Sequence, residues 1–183
     1  AVTRIYSADK VLLAELFVEK RDPVALAQVP EALKTALITT EDRSFYTHSG
    51  IDLKGVLRAI IRDLQAGAFV EGASTITQQL AKTLFLTPRK TLVRKIKEAL
   101  LAFQLERRYT KDELLEFYLN QVYFGSGAYG VEAAAQTFFG KPVQDLTLAE
   151  CALIAGMPTW MAPNAAPIAP PILNTCHFHV STT

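Results

Sequence analysis

The 183-residue chain has little of several things, and each shortage removes a class of function. Its two cysteines, Cys151 and Cys176, lie far apart, and none of the three histidines gives His48 a partner at ligand spacing. A structural zinc site needs such groups at short, regular separations, so no metal framework is read here. The net charge is only +1, which leaves no electrostatic footprint for a nucleic acid, and no nucleic-acid partner is expected. No run resembles a membrane span or the apolar core of a signal peptide. Residues 151–183 carry no Asp, Glu, Lys or Arg, but Pro158, Pro163, Pro167, Pro170 and Pro171 argue against one continuous helix there. There is no internal repeat. Starting at Ala1 without a methionine, the chain reads as a piece of a longer one.

What remains is half apolar and one fifth charged, the composition of a globular domain with one core of ordinary size. Its densest chemistry is Glu41-Asp42-Arg43-Ser44-Phe45-Tyr46-Thr47-His48-Ser49-Gly50. Upstream, Pro30 sits where a first helical residue would, and Ala32, Leu33, Ala36 and Leu37 recur at helical spacing. Downstream, Gly50 breaks the chain and Asp52 can cap a new helix. Glu41 and Asp42 therefore end a helix, at the negative pole of its macrodipole. That placement suits a general base; it is equally the description of a solvated helix end stapled to the core by Phe45 and Tyr46.

Residues 3–19 read as two short strands around a turn at Ala8-Asp9-Lys10, and after Pro23 nearly everything reads as helix. Leu53, Val56, Leu57, Ile60, Ile61 and Leu64 form an apolar stripe with Lys54, Arg58 and Arg62 behind it. The pattern fits a core helix and also one lying on an anionic membrane. Ser74 is a plausible N-cap for a helix in which Ile76, Leu80 and Leu84 face inward. Thr75, Gln78, Gln79 and Lys82 would then share a face of neutral donors and one cation, suited to sugars and phosphates or simply to water. Thr87-Pro88 predicts the start of another helix, with Leu92, Ile96, Ala99, Leu100 and Phe103 as its buried stripe. Arg94 and Glu98 lie one turn apart on another face. Capping boxes begin at Thr110 and Thr147. Residues 123–130 read as a glycine-punctuated loop, and Val131–Phe139 as a short helix closed by Gly140.

Five ordered segments between residues 41 and 158 resemble the motifs of the peptidoglycan glycosyltransferases. They are the decapeptide above, Gly72-Ala73-Ser74-Thr75-Ile76-Thr77-Gln78-Gln79-Leu80-Ala81-Lys82, and Arg94-Lys95-Ile96-Lys97-Glu98. The fourth is Leu115-Glu116-Phe117-Tyr118-Leu119-Asn120 with Gly125, Gly127, Gly130 and Phe139-Gly140-Lys141, and the fifth runs from Leu148-Ala149-Glu150 to Met157-Pro158. Arg4–Phe17 is similar to the start of this domain in class A penicillin-binding proteins. The resemblance implies a mainly α, lysozyme-like helical domain with a short N-terminal β element. It implies polymerisation of lipid II into glycan strands, with inversion and release of undecaprenyl diphosphate. Glu41 would be the general base and Glu98 the second carboxylate at the diphosphate. Asp42, Phe45, His48, Ser74, Thr75, Gln78, Gln79, Lys82 and Arg94 would bind substrate or brace the base, His48 as a hydrogen-bonding residue. Tyr118, Asn120 and Glu150 fall to scaffold. No cofactor is required; Glu98 could hold a divalent cation (magnesium or manganese), orient Arg94, or assist departure of the leaving group.

The expected partners are lipid II, the growing glycan chain, the cell-wall synthesis machinery, and the membrane surface through residues 53–70. The expected location is the outer face of a bacterial cytoplasmic membrane, the anchor being absent from this sequence. Residues 1–158 would form the domain, a β segment over 1–22 and a helical body over 23–158, leaving 159–183 as a non-native or disordered tail. Lys-Thr-Gly is absent, and the single Ser-x-x-Lys match, Ser7-Ala8-Asp9-Lys10, stands without it, so no transpeptidase activity is expected of this chain. Two other readings stay open: a lysozyme-like glycan hydrolase working with paired carboxylates, and an inactive fragment that only binds lipid-linked substrate.

Overall fold

A short β element opens the chain. Strands β1 (Val2–Tyr6) and β2 (Leu12–Phe17) pair antiparallel, with Val2 opposite Phe17. This computed structural model describes residues 2–6, 12–17, 20–66, 74–86 and 91–161; the turn expected at 8–10 and the segment 162–183 lie outside them. A second, three-stranded sheet was not legible in the sequence. Its order is β3 (Lys20–Arg21), β5 (Ala128–Tyr129), β4 (Tyr123–Gly125), with β3 parallel to β5 and β4 antiparallel to it. The presumed loop is thus a hairpin. Its two central residues, Ser126 and Gly127, have φ of 51° and 76°, the positive values that match a tight two-residue turn to the twist of its strands.

The body is helical: α1 (Glu31–Glu41), α2 (Leu53–Ala66), α3 (Ile76–Phe85), α4 (Leu92–Glu106), α5 (Lys111–Gln121), α6 (Val131–Phe139) and α7 (Leu148–Met161). Helix α1 packs on α7, while α3 packs on both α4 and α5. Leu33 and Leu37 of α1, Ile76 and Leu80 of α3, Leu114, Leu115, Tyr118 and Leu119 of α5, and Ile154 of α7 meet in one core. Helix α6 contributes Val131 and three alanines, small enough to bring its backbone close, and ends at Gly140 in the left-handed region (φ 67°). Pro30 proves to be the N-cap of α1, one residue outside the helix. Helix α7 runs through Pro158 to Met161, so the boundary expected at 158 falls inside a helix.

Helix α7 is started by a reciprocal cap. Glu150 accepts from the Thr147 N–H and hydroxyl, each at 2.7 Å, and from Lys141 Nζ at 2.7 Å. The lysine first, then the two threonine donors, hold its carboxyl down at about 2, against an ordinary 4.5. A carboxylate with a depressed folded-state value contributes stability that is present above its unfolded value and lost as pH falls through the folded one. The thermal midpoint of Glu150→Gln is therefore expected below wild type at pH 6, with the gap closing as pH falls from about 4.5 toward 2. A gap independent of pH would mean that the cap contributes nothing through its charge.

Two helices turn apolar stripes outward. On α2, Leu53, Leu57, Ile61 and Leu64 are exposed, Leu64 to 78%. On α4 the expected buried stripe is on the outside: Leu92 is 86% exposed, and Val93, Ile96, Leu100 and Phe103 are also exposed. The residues that α4 buries are Glu98 and Ala102. Periodicity located the stripe correctly, but α3 receives the opposite side of the helix, the side with a small residue and a carboxylate. The helix also begins at Leu92 behind the Thr91 cap rather than at Pro88, which lies outside the described residues.

Candidate active site

Adjacent carboxylates at the end of α1 take separate courses. Asp42 ends the helix with φ −161° and ψ 77°, and its side chain turns inward, where the residue is 7% exposed. Its Oδ2 accepts from the Ile76 N–H at 3.0 Å, and from His48 Nε2 at 2.9 Å. The Gly50 N–H donates to His48 Nδ1 at 3.1 Å, so the ring accepts on one side and donates to Asp42 on the other. Asp42 is thus fully engaged in tying the loop after α1 to the first residue of α3. Glu41, the last residue of α1, is half-buried, and its Oε2 accepts from Gln79 Nε2 at 2.8 Å. Of the two, Glu41 is the carboxylate whose exposure lets it meet a substrate.

The loop itself is held down by close backbone approach. Gly50 has φ 97°, and a Cβ there would lie 3.1 Å from the Ala102 carbonyl of α4. Only glycine fits both constraints. The Thr75 hydroxyl donates to the Gly50 carbonyl at 2.7 Å. Thr75, rather than Ser74, is the N-cap of α3: its Oγ1 accepts from the Gln78 N–H at 3.2 Å, while Gln78 Oε1 accepts from the Thr75 N–H at 3.1 Å. Both residues are buried, and their polar atoms serve this cap rather than an outward donor face.

Glu98 supplies the second carboxylate. Although 3% exposed, it is bracketed by Arg94 Nη1 at 2.6 Å on Oε1 and Lys95 Nζ at 3.1 Å on Oε2. Lys95 also donates to Ser74 Oγ at 2.5 Å, bringing the start of α3 to the same cluster. Lys82 of α3 joins them. Burial pushes its ammonium below the usual lysine range; Glu98 pulls it back up, Arg94 and Lys95 push it down again, and Glu41 draws it up. Lys82 therefore sits within the fields of both carboxylates. Three cations face one buried carboxylate, and Arg94 Nε has no partner among the described residues. This is an environment for a further anion.

The same set does not fit a divalent cation. Both oxygens of Glu98 are taken by side-chain cations, three positive groups surround it, and no cluster of three or more His, Cys, Asp or Glu suited to a metal occurs among the described residues. The resemblance allows a divalent cation at Glu98; the described side chains against it are the cations Arg94 and Lys95. Phe45, expected near the substrate, is fully buried in the core with Lys111 Nζ 4.6 Å above its ring, so it braces the loop from behind. An open cavity of about 630 Å³ is lined by Ser44, His48, Asp52, Lys54 and Arg58 among others and includes neither Glu41 nor Glu98. Two residues of the site escaped the sequence reading. Lys95 figures in the sequence reading only as a member of the third motif, though its i, i+3 spacing to Glu98 was the available signal. Tyr118, assigned to scaffold, sends its hydroxyl to Gln79 Oε1 at 3.2 Å; nothing in the spacing of α5 pointed there.

The transglycosylase family profile matches residues 9–170. The chain belongs to that family. The match bears out the resemblance carried by the five motifs, and it extends past the boundary expected at 158. Among curated relatives, penicillin-binding protein 1F of Bacillus subtilis strain 168 is 53% identical over 146 residues, 80% of this chain and 20% of the relative. Penicillin-binding protein 1A of Escherichia coli strain K12 is 54% identical over 155 residues, 85% of this chain and 18% of the relative. The crystal structure of penicillin-binding protein 1A from Haemophilus influenzae aligns with a TM-score of 0.47 and 29% identity, over 87% of this chain and 14% of that one. The chain thus spans about a fifth of the length of the curated relatives it matches. Within this transglycosylase domain, Glu41 closes α1 and Glu98 lies on the buried face of α4, and Lys82 of α3 feels the charge of both.

Proposed function

We propose that this transglycosylase domain polymerises lipid II into peptidoglycan glycan strands. Glu41 acts as general base on the 4-hydroxyl of the acceptor sugar. The freed oxygen attacks the anomeric carbon of the donor from the face opposite the leaving group, so the configuration inverts and the bond to undecaprenyl diphosphate breaks. The observation that carries the reading is the cation cluster at buried Glu98, with Arg94 Nη1 at 2.6 Å and Lys95 Nζ at 3.1 Å, and with Lys82 in the field of both Glu98 and Glu41. Departure of a diphosphate develops charge on its oxygens, and preorganised cations in a partly desolvated site stabilise that charge more than water does. Lys82, Arg94 and Lys95 supply three. Glu98 holds Arg94 and Lys95 in place, acting as the orienting carboxylate rather than as a proton donor.

The exposed stripes of α2 and α4 support a membrane surface as the docking partner, with Leu53, Leu57, Ile61 and Leu64 next to the exposed bases Lys54 and Arg58. Leucines beside lysine and arginine suit the headgroup boundary of an anionic leaflet. No described helix is long and apolar enough to cross a membrane. A hydrolase of neutral glycan would have no use for three clustered cations. Incubating the chain with labelled lipid II in detergent is expected to yield polymer and free undecaprenyl diphosphate. Release of short muropeptides from preformed glycan, with no consumption of lipid II, would replace this reading with hydrolysis.

A further inference from the structure

We propose that Tyr118 is a positioning residue for the Glu41 carboxylate, acting through the side-chain amide of Gln79; the proposal rests on Glu41 being the general base. Three helices contribute one group each. Tyr118 on α5 is 2% exposed and packs in the main core, yet its hydroxyl reaches out of that core to Gln79 Oε1 on α3 at 3.2 Å. From the other end of the same amide, Nε2 donates to Glu41 Oε2 on α1 at 2.8 Å.

An amide can sit either way round, and here both neighbours select the same orientation. The carboxylate of Glu41 can only accept and so takes the NH₂ end. Tyr118 must then donate to the oxygen end. Burial, and after it the charges of Glu41 and Asp42, hold the phenol well above its usual range, so the hydroxyl keeps its proton at any pH where the enzyme works. It remains a donor throughout. The ring alone would fill the core as well as a phenylalanine does, and a buried hydroxyl without a partner is costly. Among the described residues that oxygen hydrogen-bonds Gln79. A hydrogen bond fixes the amide, and the amide in turn holds Oε2 of the half-buried glutamate at the helix end. A base must stand within about 0.5 Å of its productive position to work, so the effect belongs in turnover rather than in substrate affinity.

The test is a double-mutant cycle in lipid II polymerisation, comparing wild type, Tyr118→Phe, Gln79→Ala and the double variant, with kcat and KM measured separately across pH. Tyr118→Phe is expected to lower kcat roughly three- to ten-fold, the reach of one neutral hydrogen bond, with KM little changed. The acid limb of its pH–rate profile should move to higher pH, because the carboxylate loses a well-held donor. In the Gln79→Ala background the same substitution should change kcat by less than about twofold, since the two act as one unit. An equal factor in both backgrounds, a loss carried by KM, or an unmoved acid limb would overturn the proposal, leaving Tyr118 a packing residue. Glu41→Gln run alongside separates the two claims. If it is as active as wild type, the base assignment fails; if it is inactive while the cycle is additive, only the positioning role fails.

Discussion

Replacing Glu41 by glutamine is expected to lower the rate of glycan polymerisation by ~10²–10⁴-fold, the range for loss of a general base. The thermal midpoint should stay within ~2 °C of wild type, as for other substitutions at partly exposed positions. Glutamine retains the shape of the side chain and an oxygen for Gln79 to donate to, so the fold has no reason to notice. What disappears is the ability to take a proton. Asp42→Asn makes the informative companion. Asp42 is the buried member of the pair and holds His48 and the Ile76 N–H, so its loss should appear in stability as well as in rate. A Glu41→Gln variant with undiminished polymerisation would sink the assignment, and the search for a base would move elsewhere in the cleft.

The second large effect is expected at Glu98. Removing its carboxylate, as in Glu98→Ala, leaves Arg94 and Lys95 without their shared acceptor and Lys82 facing two cations without their counter-charge. Breaking a buried ion pair from one side costs about 3–5 kcal/mol, and the low end applies because Lys95 remains half exposed. For a chain of this size that is a drop of ~10 °C in the thermal midpoint. On the proposed mechanism activity should fall with it, because Arg94 and Lys95 would no longer be held at the site. Pairing the change with Arg94→Met should recover part of the lost midpoint, since one of the stranded charges goes too. An unchanged midpoint in the single variant would mean that the cluster is solvated far more than its burial implies.

Much of this fold was legible in the sequence where local chemistry decides the outcome. Val131–Phe139 has the limits expected from its glycines, and the boxes at Thr110 and Thr147 cap the helices they were expected to cap. Failures came where a distant partner decides. Ser74 and Thr75 are both hydroxyl residues at a helix start, and which one caps is settled by the Gly50 carbonyl 25 positions away, which takes the Thr75 hydroxyl. A stripe on α4 can be counted from periodicity, but whether it faces a core or a membrane depends on what packs on the other side. The hairpin at 123–129 hid among glycines because its third strand, Lys20–Arg21, comes from the far end of the chain. As for the site, the adjacent pair Glu41-Asp42 stood out in sequence, and the division of labour between them did not, because it depends on the backbone dihedrals of one residue.

The N-terminal segment is clasped at three places by residues far along the chain. Strand β3 lies along β5, Asn120 both accepts from the Val24 N–H and donates to its carbonyl, and Glu116 takes the Leu26 N–H. The Val24–Asn120 contact closes a loop across 96 positions, and a closure of that size costs about 4 kcal/mol in chain entropy. That cost falls once, on whichever contact forms first. The others follow across a handful of residues at almost no further expense of chain freedom, so no single one of them is stable alone and together they engage as a latch. The latch closes on α5, the helix that also carries Tyr118, so the N-terminal segment and the Tyr118–Gln79–Glu41 contacts share one support.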